Sequence, residues 1–286
     1  MKAKIAIYYF TFAGLLLINT ACELNIESTV STEQTLTALK QSSQSTTIFK
    51  DVFNEINNTA RYVDDSINDR NDAEPVVKDP FPSLSIEPFD ATSWPKTIIL
   101  DYGPVNHLCS DMRERRGKLI IEATDLYSNQ ACEITTQFEN FYQDNYKVEG
   151  KHTITYTGDN EQGFPVFDIS VENGMIYAPD AKAYSFEQNT QREWVEGSET
   201  LLNYEDDVYL LTGEQDGYSS DSIKYDIEIR NDSPLDIWVK CRWVRAGIID
   251  IKIKDVPDVT LDFGEGECDN YATASFNGNE YLINME

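Results

Sequence analysis

Ile48, Phe49, Val52, Phe53, Ile56, Ala60 and Val63 recur at three- and four-residue steps, which puts them on one face of a helix. The other face carries Lys50, Asp51, Asn54, Glu55 and Asn58, and Thr46 or Thr47 can cap the start. The pattern predicts an amphipathic helix over residues 46–66 whose apolar stripe must be buried, on the face of the sheet that follows. Residues 22–45 are rich in Ser, Thr and Gln with no sustained apolar period, and read as a flexible tether. Residues 67–95 hold Pro75, Pro80, Pro82, Pro88 and Pro95, so they read as a linker excluded from regular helix and central strand.

From residue 96 to residue 286 the pattern changes to alternation of apolar and polar positions, rich in β-branched and aromatic types. Strands are expected at 97–101, 118–124, 133–141, 147–156, 166–171, 175–178 and 183–188. They continue at 192–196, 207–212, 222–230, 236–244, 247–254, 259–262, 272–276 and 280–284. Turns fall at Gly158-Asp159-Asn160, Asn173-Gly174, Pro179-Asp180 and Asn277-Gly278. No helical period interrupts the series, which excludes parallel βαβ units. The predicted fold is all-β and antiparallel, a sandwich or long meandering sheet, with one N-terminal amphipathic helix packed on it.

A building rule recurs within this region. The run Val259 to Leu261 leads into Asp262-Phe263-Gly264-Glu265-Gly266-Glu267-Cys268-Asp269-Asn270. Earlier, Thr97 to Leu100 leads to Asp101-Tyr102-Gly103, then Cys109 and Gly117. A partial third copy keeps Cys241 and Gly247. Strand, acidic-aromatic-glycine turn, cysteine, glycine, strand describes architecture and no reaction.

Net charge changes the list of partners. At −27, with a pI near 4.3, the chain repels phosphate backbones, so nucleic acid is excluded as a partner. The first 21 residues are an address: Lys2 and Lys4, then an apolar run over residues 6–18, too short to span a bilayer. Asn19-Thr20-Ala21-Cys22 has the form of a lipobox, which makes Cys22 the lipid attachment point. That arrangement predicts a lipoprotein held on the outer membrane, on its periplasmic or cell-surface side. An exported chain meets an oxidising compartment, so Cys109, Cys132, Cys241 and Cys268 are disulfide candidates. The strands at 247–254 and 259–262 flank a short turn around Asp255-Val256-Pro257. Setting Lys254 opposite Asp258 puts Asp250 opposite Asp262 and Val244 near Cys268. Cys241 and Cys268 then meet at the open end of one hairpin, and bridging them closes a loop worth roughly 3 kcal/mol. Cys109 with Cys132 is the default remainder.

Several motifs resemble a family of Bacteroidetes lipoproteins with DYG and DFGxGxCDN-type motifs. They are Trp94-Pro95-Lys96-Thr97 with Asp101-Tyr102-Gly103, Arg116-Gly117-Lys118, Tyr146-Lys147-Val148-Glu149-Gly150, Trp194-Val195-Glu196-Gly197, Asp207-Val208-Tyr209 and the closing Asp262 to Asn270. The likeness runs from Cys22 to the C-terminus. It implies a lipid-anchored envelope protein and no particular activity. Cys132 departs from the family pattern.

Candidate chemistry is sparse. Asp262, Glu265, Glu267 and Asp269 crowd a glycine-containing loop of the sort calcium uses, but the spacing is not that of an EF-hand, and turns favour these residues for backbone reasons. Zinc spacings, a Gly-x-Ser-x-Gly elbow and a His-Glu-x-x-His helix are all missing from the sequence. A triad could draw only on His107 or His152. Trp238 and Trp243 differ by an odd number and would face opposite ways in one unbroken strand. No catalytic residue, metal or cofactor is therefore assigned. The expected function is that of a non-enzymatic envelope lipoprotein with an interaction or structural role, meeting the membrane through its anchor and a glycan or envelope protein through its fold. The alternatives are a carbohydrate-binding accessory protein and, behind it, a hydrolase. An exposed row of aromatics on one sheet face would favour sugar, and converging carboxylates near His107 would favour catalysis.

Overall fold

The computed structural model describes residues 30–68 and 82–285. One helix, α1 (Thr32–Asn68), runs through a single antiparallel sheet of fifteen strands. At 37 residues it is about 55 Å long. It starts well before Thr46, so residues 32–45 are helix rather than tether. Ser31 and Gln34 form a reciprocal cap: Gln34 N–H donates to Ser31 Oγ (3.2 Å), and Ser31 N–H donates to Gln34 Oε1 (3.0 Å). The early turns escape a hydropathy reading because, beside Ala38 and Leu39, much of what they bury is polar. Thr35, Ser42, Ser43 and Ser45 are buried; the hydroxyls of Ser42 and Ser45 donate to the helix carbonyls of Leu39 and Gln41, both at 2.9 Å, and that of Thr35 to Ser31 O at 3.1 Å.

The strands are β1 (Ser83–Glu87), β2 (Lys96–Asp101), β3 (His107–Leu108), β4 (Glu114–Ala123), β5 (Glu133–Gln143), β6 (Tyr146–Asp159), β7 (Pro165–Tyr177) and β8 (Ala183–Glu196). They continue as β9 (Val208–Tyr218), β10 (Lys224–Ile229), β11 (Leu235–Trp238), β12 (Ala246–Ile253), β13 (Val256–Glu265), β14 (Tyr271–Phe276) and β15 (Asn279–Asn284). Neighbours in sequence are mostly neighbours in space, so the sheet is a meander, with β3 added to β4 and β11 bridging β9 and β12. β1 falls inside the expected proline linker. Pro82 and Pro88 flank it, and it lies at the sheet edge, the one place where missing donors cost little.

The expected break at Asn173-Gly174 is a bulge within β7, where pairing with β8 shifts between Val171 and Gly174. A side chain at Gly174 would lie 2.2 Å from Phe186 O, which is why only glycine fits. A second bulge sets Gly117 (φ 85°) against Asn140 (φ 47°). The segment expected as a strand over 236–244 stops at Trp238, and residues beyond it turn.

Curvature follows from these bulges and from α1. Inward positions of the strands, among them Leu119, Ile154, Ile169, Phe186, Leu211 and Ile227, join the helix residues Phe49, Val52, Phe53 and Ile56 in one core. Every residue from Ser45 to Phe53 is buried, so the sheet encloses the middle of the helix on all sides. Lys50 and Asp51, expected on an outer face, are only 2% and 6% exposed. Phe53 has no exposed surface and sits edge-on to Tyr209, with the Arg192 guanidinium 3.9 Å over its ring. Phe53→Ala is expected to lower unfolding free energy by about 3–5 kcal/mol, whereas Asp65→Ala on the exposed side of the same helix stays within about 0.5 kcal/mol. Urea denaturation of both variants checks this, and equal midpoints would mean that the helix is not held in the core.

A candidate binding groove and the ionic junction that closes it

The enclosed middle of α1 brings two charges into the interior, and the surrounding strands neutralise both. Lys50 Nζ donates to the carbonyls of Cys241 (3.2 Å) and Arg242 (2.6 Å) and lies 3.3 Å from Asp51. Burial pulls the Lys50 amine below its usual range, and Asp51 opposes that. Asp51 Oδ2 accepts from Gln143 Nε2 and pairs with Arg113, both at 2.8 Å. Arg113 reaches on to Asp144 (2.8 Å), which Arg242 approaches at 3.5 Å. Asp144 is placed by the two-residue turn joining β5 to β6, where Asp144 (φ 49°) and Asn145 (φ 67°) both take left-handed backbone. Its Oδ1 accepts from Glu114 N–H at 2.9 Å. Next to this junction Arg115 makes two bonds to Asp111 (2.8 and 2.6 Å) and one to Gln143 Oε1 (3.2 Å).

The junction joins the segments before β4 and β12 and the β5–β6 turn across α1, and a groove runs from it along the helix toward Thr32. Its smaller, inner chamber, about 200 Å³, is lined by Gln44, Arg113, Asp144, Tyr146, Arg242 and Trp243 among others. The open chamber, about 890 Å³, lies between the outer stripe of α1 (Leu36, Lys40) and the β7–β8 turn with Tyr184. Gln44 and Tyr146 line both chambers and form the sill between them. Tyr184 donates its hydroxyl proton to Gln44 Oε1 at 2.8 Å.

The residues singled out from sequence are distributed as follows. Cys241 and Cys268 are bonded, with Cα atoms 5.7 Å apart. The hairpin register differs from the expected one: Asp250 faces Thr260 rather than Asp262, and irregularities at both ends of the pairing bring the cysteines together all the same. Cys109 and Cys132 are free. β4 separates them, since Leu108 pairs at its Glu114 end while Cys132 precedes Ile134 at its Ala123 end, about 30 Å away. Asp262 and Asp269 accept the backbone N–H of Gly264 and Tyr271, both at 2.9 Å, as turn-forming acids do. Among the described residues, no three His, Cys, Asp or Glu side chains converge as a metal shell.

His107 lies on β3, paired in register with Arg115. His152 on β6 is wholly buried and parallel to the Phe49 ring at 6.3 Å, its pKa pulled down to about 3 by burial and by Arg192. Trp238 donates Nε1–H to Glu205 O (2.9 Å), whereas Trp243 lines the groove. Tyr177 on β7 and Tyr218 on β9 are exposed, but β8 runs between them, and Arg116 covers the Tyr142 ring at 3.6 Å. Among the described residues, Tyr142, Tyr177 and Tyr218 therefore form no continuous aromatic row on the outer face. Cys22 lies outside the described residues. Reading from sequence missed Arg113, Asp144 and Arg242 altogether, because two arginines in connecting segments and an aspartate in a turn look like ordinary surface. The only signal was Lys50-Asp51 beside a strongly apolar stripe. Comparison of the chain with protein-family models, with curated proteins and with solved structures finds no match.

Two outcomes follow from this geometry. Replacing Cys241 and Cys268 together by Ser is expected to cost about 3 kcal/mol of stability by freeing the loop in the unfolded chain, read by denaturant titration. An unchanged midpoint would show that the bridge constrains nothing. His152 binds its proton less readily folded than unfolded, so its contribution is intact above pH 6.5 and is lost as pH falls toward 3. At most about 5 kcal/mol is involved. His152→Leu should flatten the acid limb of the stability profile across that window, and a variant whose stability falls as steeply as the wild type contradicts the assignment.

Proposed function

We propose that this chain is a non-enzymatic lipoprotein of the cell envelope, anchored to the outer membrane through Cys22 and binding a partner in the groove along α1. The observation that carries the binding role is the groove itself, whose floor is a helix locked at its middle and whose closed end is a paired ionic junction. Such walls are preorganised and suit recognition. Two further observations support a role without chemistry. The interior of the curled sheet is filled by α1, and neither histidine lines the groove chambers. The anchor rests on the Ala21-Cys22 junction and the basic-apolar leader before it. No described helix is long and apolar enough to cross a membrane.

Fractionation tests the anchored reading. Wild type is expected in the membrane pellet and Cys22→Ser in the soluble fraction, since a single lipid-bearing residue supplies the attachment. Retention of the Cys22→Ser variant in the pellet would sink the anchor.

A further inference from the structure

We infer that the groove along α1 takes an extended, uncharged oligosaccharide, an assignment that rests on reading the groove as the binding site. The first reason is shape. From Glu33 to Gln44 the open helix stripe extends about 17 Å, room for roughly three pyranose rings laid end to end. The second is the pairing of flat rings with directional polar groups. Tyr146 at the sill and Trp243 in the inner chamber are both half-buried aromatics, of the kind that stack on the C–H face of a sugar; the Arg242 guanidinium lies 5.1 Å over one face of Trp243, so stacking there uses the other face. Around them stand groups able to bond hydroxyls. Gln44 spends its carbonyl on Tyr184 and keeps its amide N–H groups, and Arg242, lying over the Trp243 ring, reaches Asp144 at 3.5 Å. Lys40 has no ion-pair partner among the described residues and stands ready to donate to a ring or hydroxyl oxygen.

Charge narrows the class further. Four basic and three acidic side chains line the two chambers, so the groove is close to neutral within a chain of net charge −27. A polyanion would be repelled by the whole molecule and find no cation cluster here, while a polycation would be drawn to the acidic exterior instead. A peptide strand is disfavoured on different grounds. Adding one requires an exposed sheet edge, and these walls are the side of a helix and the tips of hairpins. An uncharged chain rich in hydroxyls meets all three constraints.

The test is calorimetric titration of the purified full-length chain with neutral gluco-, manno- and xylo-hexasaccharides. A hexagalacturonate and an uncharged hexapeptide serve as competing classes. At least one neutral hexasaccharide is expected to bind, more tightly than its monosaccharide. Trp243→Ala and Tyr146→Ala should each weaken it roughly tenfold, and Gln44→Trp, which fills the sill, should abolish it. Tyr177→Ala on the outer face should leave it unchanged. Thermal melts establish that each variant is folded, and the three groove substitutions are independent, so a loss of fold in one leaves two. Binding that survives the groove variants but falls with Tyr177→Ala overturns the site. Preference for the uronate or the peptide overturns the ligand class, and so does silence toward every neutral hexasaccharide. None of these results touches the membrane fractionation of Cys22→Ser, so failure of the saccharide assignment is distinguishable from failure of the anchored reading.

Discussion

The structure depends on neutralising Lys50 and Asp51 inside a sheet that closes around them. A sheet can wrap a helix completely only if nothing charged on that helix is left without a partner, because an uncompensated interior charge costs several kcal/mol. Here the partners come from opposite halves of the sheet. Arg113 and Gln143 approach Asp51 from the β4–β5 side, and the carbonyls of Cys241 and Arg242 approach Lys50 from the far side. A buried ion pair of this sort adds little net stability over a well-packed apolar contact, but removing one partner is expensive, about 3–5 kcal/mol. Its effect is specificity: one rotation and one level of the helix satisfies both charges, and a slip by one residue satisfies neither.

That constraint also positions the groove. Enclosure is complete from Ser45 to Phe53, and above it the helix shows a stripe through Leu36, Lys40 and Gln44. The sheet cannot close there because the turn between β7 and β8 stands off the helix, leaving the larger chamber between them. Asp144 belongs to both features. It completes the neutralisation of Arg113 and forms part of the groove's inner wall, so the site's polar end inherits the rigidity of the core.

The strands and the hairpin disulfide were legible in the sequence because both depend on local pattern. Alternation, glycine-containing turns and two cysteines flanking one hairpin hold whatever the sheet wraps. The predicted register around Asp250 was off, and yet Cys241 still met Cys268, since the bulges that displaced the register acted at both ends. What stayed illegible was anything that depends on full enclosure. Residues 32–45 looked like a tether because a helix buried largely through Thr35, Ser42 and Ser43, with only Ala38 and Leu39 between them, has no sustained apolar period to detect. Lys50 and Asp51 looked solvated because a helix lying on a sheet has a wet side, and a helix inside one does not. The groove's Arg113 and Arg242 stand about 130 residues apart, a meeting that no spacing rule announces.

The other end of α1 repeats the device and shows why the groove should be stiff. Arg61 pairs with Asp207 and lies between the rings of Trp194 (4.4 Å) and Tyr204 (4.8 Å). Burial raises the Asp207 carboxyl above its usual range while Arg61 pulls against that shift, so the contact persists only with both partners in place. Nearby Asn57 donates to the Tyr209 hydroxyl at 3.1 Å and accepts from Tyr127. The helix is therefore pinned at Lys50-Asp51 and again at Arg61, three turns apart, with Phe53 and Ile56 packed between. A helix held at two levels can neither slide nor turn to accommodate a ligand. The groove's floor is thus fixed, and for the proposed binding role selectivity would come from how well a partner's shape and hydrogen bonds match a fixed wall, rather than from closure around it.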